Sequence, residues 1–131
     1  MTYKRDITIF VVDDDESVRR ALKRLMKSAG LKVETFGSAR EFLNYEGANR
    51  TGILVLDVRM SEMSGLELQK HLAASGAEIP VIFISAHEDS RAVEMALAAG
   101  AEAFLYKPFD DQDLLAAIYR ALDQIANDGA D

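Results

Sequence analysis

Ile7-Thr8-Ile9-Phe10-Val11-Val12-Asp13-Asp14-Asp15 decides how the rest of the chain is read. The first six residues are largely apolar and β-branched, so they read as a buried strand. That strand opens straight into three carboxylates. At a spacing of about 4 Å, two like unit charges repel by about 1 kcal/mol in water and several times more near a protein surface. Such a cluster calls for a cation. Two further charged residues follow other apolar runs: Asp57 after Ile53-Leu54-Val55-Leu56, and Lys107 after Ala103-Phe104-Leu105-Tyr106.

Outward from this stretch, apolar runs alternate with helical patterns five times. Val18, Leu22, Leu25, Met26 and Ala29 are spaced as one helix face, and Gly30 closes it. Residues 32–36 alternate and predict an edge strand. Ser38 with Glu41, and Ser64 with Glu67, predict capping boxes that open two helices, the second running to about Ser75. Val81-Ile82-Phe83-Ile84 predicts a fourth strand ending at Ser85. An alanine-rich helix over 89–99 stops at Gly100, and Leu114, Leu115, Ile118, Leu122 and Ile125 stripe a last helix. Five βα units predict an α/β fold, a five-stranded parallel sheet, doubly wound, with helices on both faces. In such folds the site lies at the carboxyl ends of the strands, where the strand order switches. Asp13, Asp14, Asp57, Ser85 and Lys107 then converge on one edge, although they follow four different strands.

The 131 residues fit a single domain, with a core over about 6–126 and a frayed tail over 127–131. The net charge of −7 argues against direct nucleic-acid binding. With no cysteine there is no disulfide and no thiolate metal site. No apolar run approaches the ~20 residues of a membrane helix, and Met1–Asp6 offers no signal-peptide core, so a cytoplasmic protein is expected.

Carboxylates without nearby thiol or imidazole suit a hard cation, and Mg²⁺ is the natural choice: it takes oxygen ligands and is often completed by phosphate. Asp57 is then a candidate nucleophile for a phosphoryl group. Lys107 as a point charge and Ser85 as a hydroxyl donor suit the phosphoryl oxygens. Each residue alone has an ordinary reading as a turn acid, a surface lysine or a helix cap. Their joint placement after four buried strands favours a phosphorylation site.

Val-Val-Asp-Asp-Asp (11–15), Leu-Val-Leu-Asp-Val-Arg-Met (54–60), Met-Ser-Gly-Leu-Glu-Leu (63–68), Phe-Ile-Ser-Ala (83–86) and Tyr-Lys-Pro-Phe (106–109) resemble the receiver domain of two-component response regulators, most of all receivers of the nitrogen-fixation type. The resemblance implies a flavodoxin-like strand order 2-1-3-4-5. It makes Asp57 the phosphoacceptor, Asp14 a direct Mg²⁺ ligand and Asp13 one acting through water. It adds the backbone carbonyl of Arg59 to the metal site, makes Ser85 and Phe104 the switch residues and Lys107 the phosphoryl-binding lysine, with a cis bond to Pro108. Asp15 has no counterpart in that chemistry and is expected to cap the first helix. One departure concerns Ser61, where the family usually has proline; serine frees φ and restores an N–H, which would loosen the loop and alter phosphoryl lifetime.

The function so implied is a bacterial phosphorelay switch. A sensor histidine kinase phosphorylates Asp57, the surface of helix four, strand five and helix five changes, and a downstream protein, a fused output domain or a homodimer contact reads it. Arg19, Arg20, Lys23, Arg24 and Lys27 lie where the resemblance places the kinase-docking surface. The chain is expected to be no enzyme beyond assisting its own phosphotransfer and autodephosphorylation. An alternative is an output-less or excised receiver of a transcriptional regulator. Another is an aspartyl-phosphate phosphatase, but those enzymes place an acid two residues after the nucleophile and this chain has Arg59. A flavin or nucleotide binder of the same fold would need a first loop offering N–H groups to phosphate, which three aspartates would repel.

Overall fold

The computed structural model describes residues 7–45 and 52–129, with backbone only over 126–129. In chain order the elements are β1 (Thr8–Val12), α1 (Glu16–Ser28), β2 (Lys32–Phe36), α2 (Ala39–Asn44), β3 (Gly52–Asp57), α3 (Gly65–Ala74), β4 (Val81–Ser85), α4 (Ser90–Ala98), β5 (Ala103–Tyr106) and α5 (Asp111–Gly129). The sheet is wholly parallel with order β2-β1-β3-β4-β5, as expected. The strand pattern explains this order. All of β3 and β4, and all of β1 except Thr8, are buried, so these strands need neighbours on both edges and helices on both faces. β2 alternates and β5 is only half-buried, which suits the two edges.

Alternate residues of the central strands feed two apolar layers. Ile9, Val11, Ile53, Val55, Ile82 and Ile84 meet Leu22 and Met26 of α1 and Leu114 and Ile118 of α5. Phe10, Val12, Leu54, Leu56 and Phe83 meet α2, α3 and α4 through Phe42, Leu68, Leu72, Ala92 and Ala96. Switching from β3 to β1 on one side and β4 on the other leaves a crevice above Asp13 and Asp57, whose strands pair Val12 with Leu56.

Most expected element ends hold. Gly30 and Gly100 follow their helices at positive φ, 77° and 100°. Ser64 and Glu67 form a full capping box. At α2 the box is half-made: Ser38 Oγ accepts from the Glu41 N–H, but the Glu41 carboxylate accepts from Gly37 N–H instead of that of Ser38. The last helix runs to Gly129, into the stretch expected to fray; Ala130, Asp131 and Met1–Asp6 lie outside the described residues.

Candidate functional site at the carboxyl edge of the sheet

The acid run is divided among three tasks. Asp15 caps α1, its carboxylate accepting the Ser17 N–H at 2.8 Å. Asp13 is fully buried and points into the crevice, where Oδ2 accepts from Lys107 Nζ at 2.8 Å and Oδ1 from the Asp15 N–H at 2.9 Å. Asp14 is exposed at the rim. Ligand oxygens of Asp13, Asp14 and Asp57 lie within 4.8 Å of one another.

Asp57 ends β3 in this crevice, with Lys107 Nζ 3.8 Å from its Oδ1. The start of α3 closes over it. A side chain on Gly65 would put Cβ 2.3 Å from the Asp57 carbonyl oxygen, so only glycine lets the helix approach this strand end. Burial raises the Asp57 pKa from 3.8 to about 6, and the negative charge of Asp13 adds to it; Lys107 and a hydrogen bond from the Arg59 N–H oppose the rise, and Asp14 contributes a little more. Asp57 is therefore mostly ionised at neutral pH and easily neutralised below it.

The residues fit a hard divalent cation. The three clustered donors are all carboxylates. Three carboxylates facing one ammonium leave two negative charges, which one divalent ion would balance.

Ser85 and Phe104 sit differently. Ser85 is buried at the end of β4, and its hydroxyl is engaged within its own loop: it donates to the His87 carbonyl and accepts from the His87 N–H, both at 3.1 Å. Phe104 lies outside the crevice, half-buried on β5, stacked on Phe83 with centroids 5.9 Å apart and tilted against Tyr106 at 5.5 Å. The Lys107–Pro108 bond is cis, as the resemblance implied. Met60 and Met63 pack under the loop after β3, and His71 is exposed on α3.

Three features were not read from the sequence. The Arg59 N–H, not only its expected carbonyl, serves the site by bonding the Asp57 carboxylate, and its guanidinium reaches the α4 cap Asp89 at 3.6 Å. Glu62, next to the unusual Ser61, has φ 70°, a strained conformation for a residue with a Cβ. Arg19 is partly buried and donates to the Asp13 carbonyl at 2.8 Å, apart from the exposed basic face with which its spacing groups it. The spacing of three to four residues on α1 marks a polar face but not which of its members folds back over the helix start.

Comparison with known proteins agrees with this geometry. The response regulator receiver domain family matches residues 9–119, and the chain belongs to that family. The chain is 50% identical over 118 residues to the response regulator protein TmoT of Ectopseudomonas mendocina, covering 90% of this chain and 54% of that protein. The solved structure of the response regulator StyR superposes with a TM-score of 0.86 at 49% identity, covering 94% of this chain and 62% of that one. The crystal structure of FixJ-N gives 0.83 at 40% identity, covering 90% and 94%. The chain spans about half the length of the first curated relatives it matches. It is thus a receiver domain of the two-component type, a phosphorylation-activated signalling module, close to the FixJ-like regulators.

Proposed function

We propose that Asp57 is the phosphoacceptor of this receiver, that Mg²⁺ bound by Asp13, Asp14, Asp57 and the Arg59 carbonyl assists, and that Ser85, Lys107 and Phe104 carry the response. The observation that carries this reading is the meeting of the buried Asp57 with two further carboxylates and one lysine at a single crevice. The Asp57 carboxylate attacks phosphorus of a phosphohistidine on a sensor kinase. An O–P bond forms, the N–P bond breaks, and the imidazole leaves with the electron pair. The metal ion supplies charge neutralisation for the carboxylates and the phosphoryl oxygens. Lys107 Nζ, 2.8 Å from Asp13 and 3.8 Å from Asp57, is placed to share itself with a phosphoryl oxygen.

Ser85 supplies the switch. Its hydroxyl must leave His87 to reach a phosphoryl oxygen, which pulls on the chain leading into α4. The space so vacated admits Phe104, and the face carrying Met95, Tyr106 and Tyr119 changes. Moving such an equilibrium from 1:99 to 99:1 takes about 5.5 kcal/mol of differential stabilisation, within reach of a few charge-assisted contacts to a phosphoryl group.

The match covers only 51% and 58% of two relatives named as transcriptional regulators, which supports an output domain fused to this receiver; the other readings are that a separate protein or a second receiver docks on the altered face. Among the described residues no helix is long and apolar enough to cross a membrane. Incubation with acetyl phosphate and Mg²⁺ tests the site: intact-mass analysis should find one added phosphoryl group on the wild type and none on Asp57→Asn. Uptake by the variant at the wild-type rate would overturn the assignment of Asp57.

A further inference from the structure

Asp13 is held at four points. Its N–H donates to the Phe36 carbonyl at 3.1 Å, both carboxylate oxygens are bonded, and its carbonyl accepts from Arg19 Nη1 at 2.8 Å. The Arg19 contact is the only one of the four made by a side chain of α1. The guanidinium occupies a slot that Gly37 keeps open: a Cβ there would lie 3.3 Å from Arg19 Nη1 and 3.4 Å from Glu41 Oε2. The other oxygen of Glu41 is bonded to the Gly37 N–H at 3.1 Å. The β2–α2 loop, α1 and the acidic loop therefore meet at one arginine.

We propose that Arg19 is a positioning residue for the cation site, fixing the backbone of the Asp13-Asp14 loop so that its carboxylates stay together against their own repulsion. This rests on the reading of the crevice as a Mg²⁺ site. The physics gives two opposite signs. As a bare positive charge beside the site, Arg19 opposes a divalent cation, so on charge alone its removal tightens binding. As a clamp on the ligand-bearing backbone it favours the ion, so its removal loosens binding. Outer contacts that orient metal ligands typically govern affinity by about tenfold or more, which outweighs the effect of one solvent-screened charge.

The test is calorimetric titration of Mg²⁺ into wild type, Arg19→Gln, Arg19→Lys, Gly37→Ala and Arg20→Gln, with a thermal midpoint for each. Arg19→Gln should weaken binding about tenfold. Arg19→Lys should recover part of that loss, because a charged donor returns without the planar fork. Gly37→Ala leaves the charge unchanged but crowds the guanidinium, and should weaken binding in the same direction. Arg20→Gln removes the same charge one residue along, where Arg20 pairs with Glu16 on the exposed side, and should leave affinity equal or slightly tighter. Mg²⁺ affinity in Arg19→Gln equal to or tighter than wild type, whatever its thermal midpoint, would overturn the proposal. If Arg19→Gln does not fold, Gly37→Ala decides by the same criterion. Absence of Mg²⁺ binding by wild type would overturn the Mg²⁺ reading of the crevice, and this proposal with it.

Discussion

The loops on either side of Asp57 are built to different standards. The β1–α1 loop is tied down by main chain, by Lys107, by Arg19 and by its own helix cap, and α1 buries Leu22 and Met26 beneath it. The β4–α4 loop closes on itself. Among the described residues the Ser85 hydroxyl bonds only the His87 backbone, Asp89 caps α4, and α4 buries nothing larger than Ala92 and Ala96. Its ion pair to the other loops, Arg59 with Asp89 at 3.6 Å, is exposed on both sides and so contributes little. The difference teaches how a receiver divides its work. On the function proposed, the side that would hold the ion is set in advance, because carboxylates that repel one another must be held. The side that would sense the phosphoryl group is left easy to move, because that group has only a few contacts with which to move it.

The contrast breaks most visibly in packing. Met26→Ala removes a fully buried α1 side chain and should cost about 3 kcal/mol in urea unfolding. Met95→Ala on α4, where the side chain is 42% exposed, should stay within about 0.5 kcal/mol. Equal losses would remove the distinction between the two helices.

A second effect sharpens the electrostatic half. The folded Asp57 carboxyl keeps its proton up to about pH 6 against 3.8 unperturbed, so between those values the native state binds more protons than the unfolded state. Its contribution to stability is then present at low pH and is lost as pH rises through that window. Asp57→Asn lacks this loss. Without Mg²⁺, the thermal midpoint of the variant should exceed that of wild type by more at pH 7 than at pH 4; a gap independent of pH would contradict the assignment of the strain to the buried carboxylate.

A third and smaller effect lies in the loop between the two sides. Glu62→Gly should stabilise by about 1 kcal/mol, since glycine takes φ 70° without strain and the exposed pair to Arg40 at 3.7 Å adds little. A drop in the urea midpoint would show that Glu62 holds more than its own backbone.

Much of this architecture was legible because it depends on repeated patterns. Buried strands such as Ile53–Leu56 announce themselves by continuous apolar runs, and a parallel sheet sends their next residues to one edge. The cap role of Asp15 follows from its place just before a helical stripe. What stayed hidden depends on single rotamers and single dihedral angles. No spacing shows that Arg19 folds back while Arg20 faces out, or that the Ser85 hydroxyl serves its own loop. Gln69 is polar by type yet buried, donating to the Ala96 carbonyl at 3.2 Å, which only the approach of α4 to α3 can reveal. Replacing the family's proline with Ser61 was visible, but the left-handed Glu62 beside it was not.

On the function proposed, the phosphoryl signal leaves Asp57 through Ser85 and not through the acidic loop. Amide chemical shifts recorded in Mg²⁺ with and without beryllofluoride test it directly, in wild type and Ser85→Ala. Large changes are expected through residues 85–106 of the wild type, small changes through 15–28, and loss of most of the former in Ser85→Ala. Changes concentrated in α1, or an undiminished response of α4 and β5 in Ser85→Ala, would contradict it.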